Sequence, residues 1–159
     1  MKKIESFRVN HLNLYSGLYV SRRDQQDGVV VTTFDLRFTA PNREKVMEIA
    51  GMHTLEHIGA TFLRNSNMAD KVVYFGPMGC RTGFYLVMFG NMESTNVYDL
   101  VVDMCDCVIN FNGDIPGATP KECGNYSDQN LDLAKVYATA YKSQLQQHKR
   151  FTYPADDVC

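Results

Sequence analysis

Residues 17–38 read GLYVSRRDQQDGVVVTTFDLRF, and their pattern decides the fold class. Residues 17–22 and 29–38 are rich in β-branched and aromatic side chains and read as strands. Asp27-Gly28 between them is a hairpin signal. In the second strand Phe34, Leu36 and Phe38 alternate with Asp35 and Arg37, so one face is apolar and the other carries charge. Pro41-Asn42 breaks the pattern.

The rest of the chain supplies helices for that sheet. Residues 52–66 (MHTLEHIGATFLRNS) place Leu55, Ile58, Phe62 and Leu63 in a helical stripe. Residues 71–75 form a short strand, Gly76-Pro77-Met78-Gly79 a turn, and residues 82–90 another strand. A second helix starts after Ser94 or Thr95 as N-cap, with Val97, Leu100, Val101, Met104, Val108 and Phe111 at helical spacing. Gly113 to Pro120 is a loop. The last helix runs from about Asp128 to Gln147, and residues 149–159 form a frayed tail. The expected fold is α+β: a mostly antiparallel β-sheet with helices packed on one face. No internal repeat or linker divides it, so residues 1–159 make a single catalytic domain.

Composition narrows the function. Apolar residues are 45% of the 159, enough for a sizeable core, and the net charge is -2. Without a Lys/Arg cluster, neither nucleic acid nor a membrane surface is expected as a partner. No apolar run has the length of a membrane span, and the first residues lack a signal peptide's apolar stretch. The cysteines are five, Cys80, Cys105, Cys107, Cys123 and Cys159. An odd count without an export signal argues against a disulfide framework and for free thiols in a cytoplasmic protein.

The chemical signal is His53-Thr54-Leu55-Glu56-His57. On a helix, positions i and i+4 differ by about 40° in direction and about 6 Å in rise. Two imidazoles so placed can reach one divalent metal, with Glu56 on the flank to take a proton from something bound there. The bland alternative is two histidines on a polar helix face. H-x-x-E-H is also the inverzincin peptidase pattern, so the third ligand matters. Cys123, in Glu122-Cys123-Gly124-Asn125, could complete a His/His/Cys site with a fourth position open, or be an ordinary buried thiol. Cys80, between Pro77-Met78-Gly79 and Arg81-Thr82-Gly83, is either a reactive thiol beside a cation or a structural turn cysteine. Cys105 and Cys107, two apart on a helix, point in opposite directions and read as packing or surface thiols.

Taken together, His53-Thr54-Leu55-Glu56-His57, Pro77 to Tyr85 (PMGCRTGFY) and Glu122-Cys123-Gly124-Asn125 resemble the S-ribosylhomocysteine lyases, the LuxS family. Glu5-Ser6-Phe7, His11, Phe34-Asp35-Leu36-Arg37-Phe38 and Pro41-Asn42 extend the likeness, which spans roughly residues 4 to 145. The resemblance implies a metal site of His53, His57 and Cys123 plus a water. It implies Glu56 and Cys80 as acid–base groups, and Ser6, His11 and Arg37 as substrate-binding residues. It implies Fe(II), with Zn or Co able to replace it, and a homodimer with sites at the subunit interface. The implied fold is a sandwich related to the inverzincin peptidases.

The implied reaction converts S-ribosylhomocysteine to homocysteine and 4,5-dihydroxypentane-2,3-dione, the autoinducer-2 precursor of quorum sensing. It proceeds by two carbonyl migrations and a β-elimination. The competing reading is a small inverzincin-type metallopeptidase. The chain departs from the family at Tyr74-Phe75-Gly76, where an acidic residue, an apolar one and Ser are usual, and at Thr33, where Lys is expected. The stretch between His57 and Cys80 is also short.

Overall fold

A computed structural model describes residues 9–154. Strand β1 (Gly17–Gln26) turns into β2 (Val29–Arg37), followed by helix α1 (Ile49–Arg64), a 3-10 turn at Ala69–Lys71, and strands β3 (Val72–Pro77) and β4 (Gly83–Phe89). Helices α2 (Ser94–Asn110) and α3 (Leu131–His148) complete the order. The four strands form one sheet in the order β1-β2-β4-β3, and every neighbouring pair is antiparallel. The α+β class expected from the sequence is the one observed.

The hairpin follows from its turn. Asp27 and Gly28 have φ of 49° and 81°, the left-handed pair that matches the twist of flanking strands. So tight a turn lets pairing run down to Gln26 opposite Val29. β1 is therefore longer than its β-branched residues alone indicate, and Asp24–Gln26 pair although they are exposed.

One face of the sheet carries the core. Leu18, Phe34, Leu36, Phe84 and Leu86 meet Leu55 and Ile58 of α1, Val97, Val101 and Met104 of α2, and Ala138, Tyr141 and Leu145 of α3. Phe38 stacks on Tyr141 with ring centroids 3.9 Å apart, and Phe75 stacks on Phe84 at 5.0 Å. Burial of a large apolar side chain stabilises by about 1.5–3 kcal/mol, so this three-helix layer is the main source of stability.

Two helix starts differ from the sequence expectation. Glu93, not Ser94 or Thr95, caps α2: its side chain accepts from the backbone of Asn96, and Asn96 Oδ1 accepts the Glu93 N–H at 2.7 Å. Arg23 holds the same carboxylate at 2.5 Å, which fixes it in the capping position. Helix α3 begins at Leu131, because the Asn130 side chain accepts from Leu133 N at 2.9 Å and ends the preceding loop there.

The tail is not frayed over residues 149–154. The carbonyl of Arg150 accepts from Leu18 N at 3.0 Å, Phe151 meets Tyr98 edge to face, and Tyr153 stacks on Tyr19 at 4.7 Å. The tail covers the second face of the sheet, where Asp35 and Arg37 are only 1% and 3% exposed. The charged face of β2 is thus buried.

Buried acids make stability sensitive to alkali. Burial pushes the Tyr19 hydroxyl from its usual 10.0 to about 12, with Arg150 opposing and Asp35 adding. Burial likewise pushes the Cys105 thiol from 9.0 to about 12. Such groups stabilise the fold in full below the unfolded value, and lose that contribution as pH rises through the folded one. Melting temperature should therefore fall as pH rises from about 9 toward 12, and Tyr19→Phe should reduce the slope above about 10. Identical slopes in thermal melts of the two proteins would refute the assignment to Tyr19.

Candidate metal centre and the thiol cleft

His53 and His57 stand one turn apart on α1, on a half-buried face turned toward the segment between α2 and α3. That segment sets their chemistry. The Nδ1 of His53 lies 2.9 Å from the carbonyl of Asp128, and the Nδ1 of His57 lies 2.6 Å from the carbonyl of Pro116. A carbonyl only accepts, so each ring carries its proton on Nδ1 and a lone pair on Nε2. Gln129 Nε2 is farther from His53 Nδ1, at 3.2 Å, and does not displace the Asp128 contact.

The two Nε2 atoms are 3.0 Å apart, and Cys123 Sγ is 3.4 Å from the Nε2 of His53. All three ligand atoms lie within 4.8 Å of one another. Two lone pairs this close repel, unless a cation sits between them. A tetrahedral ion with bonds of about 2.0–2.1 Å to nitrogen and 2.3 Å to sulfur places such atoms roughly 3.3–3.6 Å apart, close to the spacing found. Asn125 N donates to Cys123 Sγ at 3.4 Å. His53, His57 and Cys123 therefore fit one divalent ion with a fourth position left open.

Why the loop sits there is also legible. Thr54 is fully buried inside the histidine motif; its hydroxyl donates to Gln129 Oε1 at 2.7 Å and accepts from Asn130 N at 2.8 Å. Gly51, one turn earlier, lets α3 approach, since a Cβ there would come within 2.6 Å of the Leu133 Cβ. These contacts lock the start of α3 onto α1 and bring the Asp128 carbonyl to His53. Thr54 was not singled out from sequence, where its neighbours carry the recognisable chemistry.

Glu56 shares a cleft of about 300 Å³ with His57, Pro116 and Gly117. Cys80 lines a different cleft, of about 380 Å³, with His11 and Thr82. Cys80 is exposed at the tip of the β3–β4 turn, where Arg81 takes a left-handed φ of 59° and its carbonyl accepts from Met47 N at 3.0 Å. Its Sγ lies 3.1 Å from Thr82 Oγ1 and 4.0 Å from Arg37 Nη1. Burial works against the charge of Arg37, but Asp35 more than offsets it and holds the guanidinium above its ordinary value.

The expected residues thus fall into two groups on one chain: the metal trio with Glu56, and Cys80 with Arg37 and His11. Ser6 lies outside the described residues. Thr82 joins the second group unannounced, although it follows Cys80 by only two positions. Cys105 is buried and Cys107 half-buried, and the four described cysteines are free. Among the described residues no helix is long and apolar enough to cross a membrane.

Known proteins share this arrangement of sequence. The profile of the S-ribosylhomocysteinase (LuxS) family matches residues 4–152. The S-ribosylhomocysteine lyase of Finegoldia magna is 53% identical over 150 residues, covering 94% of this chain and 96% of that protein. The enzyme of the same name from Borreliella afzelii is 54% identical, covering 89% and 90%. That of Clostridium acetobutylicum is 50% identical, covering 97% and 99%.

Loss of a ligand should be visible without any assay of turnover. Cys123→Ala and His57→Ala should weaken Zn(II) or Co(II) binding by more than about 100-fold, whereas Thr54→Val, which disturbs only the support of His53, should cost about tenfold. Metal titration of the purified variants reads this directly. Equal affinity in Cys123→Ala and the parent would remove the sulfur from the site.

Proposed function

This chain belongs to the S-ribosylhomocysteinase (LuxS) family, and on that premise we propose that it cleaves the thioether of S-ribosylhomocysteine to homocysteine and 4,5-dihydroxypentane-2,3-dione. The observation that carries the proposal is the open three-ligand site of His53, His57 and Cys123 with Glu56 in the adjoining cleft. A divalent cation bound there would act as a Lewis acid on the sugar's oxygens.

The chain's own residues would move the protons. The reaction needs a carbonyl moved from C1 to C2 and then to C3. Each shift is the removal of a proton from one carbon and its delivery to the neighbour, without net redox change. Glu56 and Cys80 are the two groups proposed for this transfer, one from each cleft. With the ketone at C3 the C4 proton becomes acidic, and its removal expels the homocysteine thiolate from C5. His11 is proposed to hold the substrate, together with Ser6; Arg37, the third residue expected in that role, is 3% exposed with its Nη atoms on Thr82 and Asp35, so it would act through its charge and not by direct contact. The Nδ1 of His11 donates to the carbonyl of Val9 at 2.8 Å, which leaves Nε2 free to accept from a sugar hydroxyl.

Two nitrogens and one sulfur suit Fe(II), Zn or Co, and we take Fe(II) as the native ion. A thiolate ligand and an exposed catalytic thiol fit a reducing cytoplasm. The peptidase reading lacks support, because the third ligand that the fold brings to the histidines is Cys123 and not a carboxylate.

The separation of the two clefts supports a homodimer in which each site is built from both subunits. The Glu56 cleft of one chain would face the Cys80 cleft of the other.

In a thiol-release assay with S-ribosylhomocysteine, Cys80→Ala and Glu56→Gln should keep their metal and lose turnover by about 10²–10⁴-fold. Full turnover in either variant removes that residue from the mechanism. Mixing inactive Cys80→Ala with inactive His57→Ala should restore part of the activity, through sites that take both groups from undamaged halves. No restoration in a verified heterodimer would place each site within one chain.

A further inference from the structure

Asp35 and Arg37 form an ion pair whose side chains are 2% and 4% exposed, with Arg37 Nη2 donating to Asp35 Oδ2 at 2.6 Å. Burying two charges costs several kcal/mol per ion, and the cost is recovered only when the remaining donors and acceptors are also paired. Among the described residues Asp35 Oδ1 and Arg37 Nε have no hydrogen-bond partner. A pair so incompletely satisfied is a poor stabilising device, and its other contacts show what it orders. Arg37 Nη1 donates to Thr82 Oγ1 at 2.6 Å. On the opposite side the Tyr153 hydroxyl donates to the same Asp35 Oδ2 at 2.8 Å.

The direction of the Arg37–Thr82 bond is forced. A guanidinium has five donors and no acceptor, so Thr82 Oγ1 must be the acceptor toward Arg37. Its single proton is then available to the other neighbour, Cys80 Sγ, at 3.1 Å. Donation to sulfur favours the ionised form. We propose that Thr82 is a positioning residue whose hydroxyl, oriented by the Tyr153–Asp35–Arg37 chain, holds Cys80 as a thiolate, so that the tail of the protein tunes its acid–base group. The proposal deepens the lyase reading and rests on it for the role of Cys80.

The surrounding charges fit this ordering. Arg37 faces the sulfur directly, with Asp35 behind it. Tyr153 draws on the Asp35 charge and so limits how far that charge cancels the guanidinium's field. Burial and then Asp35 keep the Tyr153 hydroxyl protonated, and burial does the same for Tyr85 of β4, which also senses Cys80. Arg81 follows Cys80 in the chain, and His11, Arg43 and Glu44 line the open side of the cleft. Tyr153 is held for its task by its stacking on Tyr19, whose own hydroxyl donates to the Tyr15 carbonyl at 3.0 Å.

The test follows alkylation of Cys80 by iodoacetamide against pH, resolved by peptide mass spectrometry, in metal-loaded protein. Thr82→Val should raise the pH of half-maximal alkylation by about one unit, roughly a tenfold slower reaction at neutral pH, while Thr82→Ser should restore the parent profile. Tyr153→Phe keeps the stacked ring and removes only the hydroxyl; it should move the profile the same way, by about threefold in rate. In turnover, Thr82→Val should lower kcat with KM little changed. Parent-like alkylation profiles in both Thr82→Val and Tyr153→Phe would overturn the proposal, and so would a Thr82→Ser protein that behaves like Thr82→Val. Should Thr82→Val fail to fold, Tyr153→Phe decides alone. Full turnover in Cys80→Ala would instead sink the lyase role of Cys80, and the alkylation profiles would still report on the hydrogen bond.

Discussion

Two backbone carbonyls facing two imidazoles govern this molecule's chemistry. The Asp128 and Pro116 carbonyls take the Nδ1 protons of His53 and His57, and that single constraint turns both Nε2 lone pairs toward one point. Everything nearby serves to keep those carbonyls in place. Thr54 and Gly51 allow α3 to start tightly against α1, and the helix start delivers Asp128. The same loop carries Cys123 to within reach of His53. A metal site of this kind is therefore a property of helix docking as much as of its ligands.

The legible and illegible parts of the chain divide along a physical line. Alternation in Phe34 to Phe38 and the helical stripes of α1, α2 and α3 express burial on one side, and periodicity reports that directly. The histidine pair was legible because both side chains sit on one helix. Cys123, some seventy residues away, entered through the motif around it, and only the fold brings its sulfur to the histidines. Asp35 and Arg37 read as the polar face of a strand, which alternation cannot distinguish from a charged face sealed beneath a tail. What seals it is Tyr153, a residue in a stretch with no periodicity, whose role depends on a contact across 118 positions. The capping of α2 by Glu93 escaped for a similar reason, since Arg23, far away in sequence, holds the carboxylate there.

The two faces of the sheet thus do different work. The helical face supplies stability through apolar burial. The opposite face is polar at its centre, and the buried Asp35–Arg37 pair runs along β2 to the turn that presents Cys80. Removing one member of such a pair typically costs 3–5 kcal/mol, because it leaves the other charged and unpaired. Fold and reactivity are coupled at these positions, and the hydroxyls of Thr82 and Tyr153 are where the two can be separated experimentally.

The fold-back of residues 150–154 also bears on the order of biosynthesis. These residues leave the ribosome after every described strand and helix has been made, yet they bond to β1 and β2. Until they dock, the Asp35 carboxylate lacks its bond from Tyr153, and the neighbouring thiol sits in an unfinished electrostatic setting. A nascent chain can therefore assemble its helical core and its histidine–cysteine site before its outer sheet face is mature, so reactivity at Cys80 would be the last property acquired.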